Sequence, residues 1–180
     1  MKNQNTKKLA YAALFLALCL VLPMLTGQIP QIGSMLLPMH IPVLLCGLVC
    51  GWQYGAAVGF VAPLLRSVLF GMPPMYPVAI AMAFELLTYG LVIGLVYRRM
   101  AQKGAAGVYA ALLTAMAAGR LVWGVVEVVM LGLGGKAFTA QAFLAGALLN
   151  AVPGIIVQLV LIPAVMAALQ KAGAVKEYAE

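Results

Sequence analysis

Four charged residues, Arg66, Glu85, Arg120 and Glu127, stand inside long apolar runs of a chain that is otherwise sparing with charge. An ionised side chain at membrane depth costs at least about 2.5 to 3.5 kcal/mol unless it faces protein or water, so each needs a reason to be there. Two are positive and two negative. They can pair internally and hold helices in register, or they can line a polar pocket for a small molecule; the second reading is preferred for its spacing. Arg120, Trp123, Gly124 and Glu127 fall at i, i+3, i+4 and i+7, which sets a cation, an indole, a gap and an anion along one helix face. Glu85, Thr88 and Tyr89 share a face by the same rule, as do Asn150, Pro153 and Gly154. Pro153 is expected to free the Leu149 carbonyl and kink its helix beside Asn150. The expected substrate-binding set is therefore Arg66, Glu85, Tyr89, Arg120, Trp123, Glu127 and Asn150.

The same residues argue against catalysis. The single histidine, His40, stands between Pro38 and Pro42 and reads as a polar helix-end residue rather than a ligand. No base is paired with a nucleophile, and no zinc-ligand spacing occurs, so no catalytic residue, metal or cofactor is expected. Cys19, Cys46 and Cys50 all lie in apolar segments and read as packing residues. Leu18 occupies the position before Cys19 where a lipid-attachment site wants a small residue, so the first segment is expected to be a retained helix.

These groups have to be positioned by membrane-spanning helices. Of 180 residues, 65% are hydrophobic and 8% charged, with a mean hydropathy of +1.07, too little polar surface for a soluble domain. The fold expected is an all-α integral membrane protein: one membrane domain over 1–180, with six spans near 9–26, 36–50, 54–70, 77–97, 108–131 and 140–169. The second span is short and carries Pro42. The net charge of +7 does not point to nucleic acid, because the basic residues sit at the ends of apolar runs. Lys2, Lys7, Lys8, Arg98, Arg99, Lys103, Lys171 and Lys176 sort to the side of the termini and Lys136 alone to the other, so both termini are expected in the cytoplasm. The outward segment 27–35 suits either a lid or a plain connector. Gly47, Gly51, Gly55 and Gly59 recur every four residues, as in close helix packing. No phosphate-binding loop occurs, so the chain alone does not drive transport with ATP.

The basic N-terminus before a helix with Ala13 and Ala17 four apart, the run Leu37-Pro38-Met39-His40-Ile41-Pro42 leading into Gly47 to Gly59, and Pro63-Leu64-Leu65-Arg66 together resemble the S components of energy-coupling factor (ECF) vitamin transporters. The resemblance implies a multi-pass protein of the prokaryotic plasma membrane. It implies capture of a water-soluble vitamin from outside, and delivery by an ABC importer with a membrane coupling subunit and two ATPases. It also implies that Ala13 and Ala17 meet the coupling subunit. Pantothenate is the first substrate choice, because Arg66 and Arg120 suit a carboxylate; folate, riboflavin, a thiamin precursor and vitamin B6 follow. The rival reading is an autonomous proton-coupled secondary transporter in which Glu85 or Glu127 titrates.

Overall fold

The computed structural model describes residues 2–25, 35–100, 104–133 and 151–173. Asn150, Lys136, the segment 27–34 and the part of the sixth expected span before residue 151 lie outside the described residues. Six helices are described: α1 (Lys2–Leu25), α2 (His40–Cys50), α3 (Trp52–Phe70), α4 (Ile80–Met100), α5 (Ala105–Leu133) and α6 (Val152–Lys171), with no strand among the described residues. A wide π-type turn, Met75–Ala79, leads into α4. All but α2 are long and apolar enough to cross a membrane.

The expected second span is helical as α2 only from His40, and its 11 residues rise about 16 Å, roughly half a hydrocarbon core. Leu37 precedes a proline, which disfavours helical backbone, and it adopts a positive φ of 51°. The His40 amide then donates to the Leu37 carbonyl at 3.0 Å and closes the turn that starts α2. Pro42 falls in the first turn, where its missing N–H has no intrahelical partner to lose. Pro153 likewise stands in the first turn of α6, so in the described structure it starts a helix rather than kinking one; the Leu149 carbonyl lies outside the described residues.

The glycine series serves two purposes. Gly51 is the single residue between α2 and α3, with a φ of 97° that only glycine takes readily. Gly47, Gly55 and Gly59 are contact points: a Cβ on Gly90 of α4 would run into the Gly55 carbonyl, and one on Gly59 would strike the Leu86 backbone. Gly94 abuts the Trp52 backbone in the same way. Backbone-to-backbone approach of this kind replaces the hydrophobic driving force that lipid cannot supply. It fixes α4 as the central element, packed on α2, α3 and α5.

The outer helices present one stripe inward. On α1 this is Ala12, Phe15, Cys19 and Pro23, leaving Ala13 and Ala17 exposed. On α6 it is Gly154, Gln158, Ile162 and Met166, each four residues apart. Large apolar side chains such as Leu121, Val125, Val128, Ile156 and Val160 face outward, as lipid contact requires. Gln170 donates to the Tyr97 hydroxyl at 3.1 Å, bringing the C-terminal ends of α4 and α6 together with Arg98, Arg99 and Lys171. Cations there oppose the negative ends of both helix dipoles.

If the glycine seam sets the helix spacing, Gly90→Val should cost roughly 1 to 3 kcal/mol or more by overpacking, whereas Gly132→Ala, where a Cβ meets nothing within 4 Å, should leave stability intact. Thermal unfolding of the two purified variants in one detergent checks this; equal midpoints would contradict the seam.

Candidate functional site

The site begins with the register between α4 and α5. At one end of the bundle the Tyr76 hydroxyl donates to the Met130 carbonyl. Arg120 stands ten residues before Met130 on α5, about 15 Å along the helix, and Glu85 of α4 meets it at that level. Arg120 Nη1 is 3.0 Å from Glu85 Oε1. The same oxygen is 3.3 Å from Nε2 of His40, the first residue of α2. Three helices thus meet at one carboxylate.

Tyr89 closes the cluster. It follows Glu85 by one helical turn, and its ring lies where a Cβ on Gly119 would be, so a glycine on α5 is what admits it. The ring meets His40 edge to face with centroids 5.2 Å apart, a favoured aromatic arrangement. Its hydroxyl interacts with Glu85 as well. His40 is 1% exposed and Glu85 2%, so neither is in contact with solvent.

The hydrogen-bond inventory of this cluster is unbalanced. Arg120 has a side chain only 13% exposed and turns Nη1 to Glu85, while its buried Nε and Nη2 have no acceptor among the described residues. Nor, among those residues, is a hydrogen bond made by Nδ1 or Nε2 of His40, by Glu85 Oε1 or by Nε2 of Gln158 on α6, so Glu85 meets His40 and Arg120 as close charge contacts. Gln158 is 1% exposed and lies on the inward stripe of α6. α6 touches both α2 and α5, and Gly154 sits directly on the Met35 and Leu36 backbone. Gln158 stands one helical turn beyond Gly154 on α6, and His40 opens α2 four residues after Leu36. An unsatisfied buried donor costs about 1 to 3 kcal/mol, more when charged, so the protein keeps several donors at a disadvantage that an acceptor-bearing molecule would relieve.

The remaining expected site residues divide. Glu127 is buried on the same α5 face, close enough to Glu85 to interact electrostatically, and makes no ion pair among the described residues. Gly124 is buried and Trp123 half-buried beside it. Thr88 turns away from the cluster and donates to the Phe84 carbonyl of its own helix at 2.8 Å. Arg66 is buried apart from the cluster: Nη1 donates to the Leu20 carbonyl of α1, and its guanidinium carbon lies 5.2 Å from the centre of the Phe70 ring. His40 and Gln158 were not among the expected residues. His40 does begin a helix, as its position between prolines suggested, but it faces the carboxylate. The signal for Gln158 was its place in the four-residue stripe of α6.

A polytopic helical membrane protein with a buried, donor-rich polar cluster is the class these observations define. Its particular family is given by a family model, ECF transporter, substrate-specific component, which matches residues 7–166. The chain belongs to that family; it is a transporter subunit that binds substrate, not an enzyme. No match is found among curated proteins or among solved structures.

Removing one partner of a buried ion pair leaves the other uncompensated, so Glu85→Gln should destabilise the protein by about 3 to 5 kcal/mol. The double variant Glu85→Leu with Arg120→Met should recover most of that loss. Unfolding midpoints in detergent for wild type, single and double variants check the coupling; additive losses would contradict it.

Proposed function

We propose that the chain is the vitamin-selecting subunit of an ECF-type ABC importer in a prokaryotic plasma membrane. Both termini lie in the cytoplasm in this reading, which is supported by the gathering of Arg98, Arg99 and Lys171 at one end of the bundle. The other end is then the outside, and a molecule arriving there meets Glu127 before it reaches Arg120, seven residues deeper on α5. Arg120, Glu85, Tyr89, Glu127 and Trp123 form the binding residues, with His40 holding Glu85 in place. Asn150 is assigned to the same substrate path, while Arg66, engaged by the Leu20 carbonyl and Phe70, is set apart from it.

The observation that carries this reading is the set of buried donors on Arg120 and Gln158 without acceptors among the described residues. A structural ion-pair network gains by closing such donors within the fold; a binding site leaves them for its ligand. Pantothenate ranks first because it offers a carboxylate, ahead of folate, riboflavin, thiamin precursors and vitamin B6. Delivery across the membrane falls to a membrane coupling subunit and two ATPases. Ala13 and Ala17, exposed on α1, are the surface where the coupling subunit docks, since small residues allow helices to approach closely.

A thermal-shift screen of the detergent-solubilised chain against these vitamins tests the capture step. A ligand at about 100 times its Kd adds about 2.7 kcal/mol of stability, and a shift with none of them would overturn the reading. Ala13→Leu with Ala17→Leu should leave that shift unchanged while abolishing ATP-dependent uptake by the reconstituted complex. Full uptake by this variant would remove the docking assignment. Uptake by the chain alone under a proton gradient would overturn the importer.

A further inference from the structure

The geometry points to a carboxylate seated side-on against the Nε–Nη2 edge of Arg120, with Gln158 as a second donor, as the feature by which this protein selects its substrate. The inference rests on the capture reading above and narrows it to a chemical class: small monocarboxylates whose far end carries hydroxyl or amine hydrogens.

A guanidinium presents two forks, and Glu85 takes only the Nη1 corner. Nε and Nη2 point along one side of the group with their N–H bonds nearly parallel, spaced to match the two oxygens of a carboxylate. Both are buried, and neither has an acceptor among the described residues. Glu85 cannot rotate to fill that edge without leaving His40, which meets the same Oε1. Tyr89, seated on Gly119, packs edge-on against His40. The counter-ion is therefore pinned at one corner of Arg120 and the bidentate edge is reserved. Gln158 Nε2 on α6, which packs against α2 and α5, is also without an acceptor among the described residues and is assigned as the neutral second donor.

The other end of the ligand is defined by Glu127. It lies seven residues toward the outward end on the same face of α5, about 10 Å along the axis from Arg120. It makes no ion pair among the described residues, so it remains an acceptor for hydroxyl or ammonium hydrogens. A cation such as thiamin could meet Glu127 but has no carboxylate for Arg120 and would leave the Nε–Nη2 edge unfilled. Arg66, whose guanidinium is taken by the Leu20 carbonyl and Phe70, does not compete for the carboxylate.

Isothermal titration of the full chain in detergent with pantothenate, and with the corresponding alcohol that lacks only the carboxylate, tests the inference. Wild type should bind the acid and lose at least about 30-fold in affinity for the alcohol. Arg120→Lys keeps the charge but not the fork and should weaken the acid at least about 10-fold. Gln158→Leu, which alters no charge and provides a second variant should Arg120→Lys fail to fold, should weaken the acid several-fold and leave the alcohol little changed. Equal binding of acid and alcohol would overturn the carboxylate seat, as would unaltered affinity in folded Arg120→Lys or Gln158→Leu. Thiamin, riboflavin or pyridoxine binding in place of any carboxylate would overturn it while leaving vitamin capture standing. A failure of every vitamin, acid or not, would take both readings down.

Discussion

A single carboxylate oxygen shared between a guanidinium and an imidazole organises the interior of this protein. Glu85 Oε1 meets Arg120 from α5 and His40 from α2, and it does so in a bundle whose surroundings are hydrocarbon. Charge in such a place is tolerated only when its partner is fixed, since the desolvation cost of either ion alone exceeds what weak or shifting contacts return. The three helices are consequently held to one register. The Tyr76 to Met130 contact at one end and the Gln170 to Tyr97 contact at the basic end set the same register from both sides.

Close backbone packing makes that meeting geometrically attainable. α2 is short, and a His40 ring at its first turn reaches Glu85 only because Gly47, Gly55 and Gly59 let α2 and α3 approach α4 without intervening side chains. Gly119 performs the equivalent service on the other side of α4 by accommodating the Tyr89 ring. The site is thus built from absent side chains as much as present ones. Its polar groups are held by packing, while one edge of Arg120 has no acceptor among the described residues. Rigid donors prepared in advance give affinity without an ordering cost at the moment of binding.

Much of this was readable in the sequence because the cost of charge in lipid marks its own exceptions. Arg120 and Glu85 announced themselves, and the helical period placed Tyr89 and Glu127 on the correct inward faces. His40 was harder to interpret, since its position between two prolines signals a helix start and says nothing of what faces it across three helices. Gln158 carries no charge, and a neutral amide in an apolar run has no energetic flag comparable to a carboxylate. Its burial follows from the Gly154 contact with Met35 and Leu36, a tertiary event. Arg66 obeyed the same rule as Arg120 but met its need with a carbonyl of α1 and an aromatic ring, partners that are invisible to a search for opposite charges. The glycine series was visible, yet its division into a hinge at Gly51 and contacts at the other positions depends on a backbone angle.

The central claim is that the cluster of His40, Glu85 and Arg120 is where the transported molecule is recognised. Density for a carboxylate nutrient bound to the purified chain, determined crystallographically or by electron cryo-microscopy, tests it most directly. The account predicts that density between α2, α4, α5 and α6, with two oxygens on the Nε–Nη2 edge of Arg120 and Glu85 still against His40. Density lodged elsewhere, for example between α1 and α3 beside Arg66, with the cluster unchanged, would reduce the three residues to a structural ion pair.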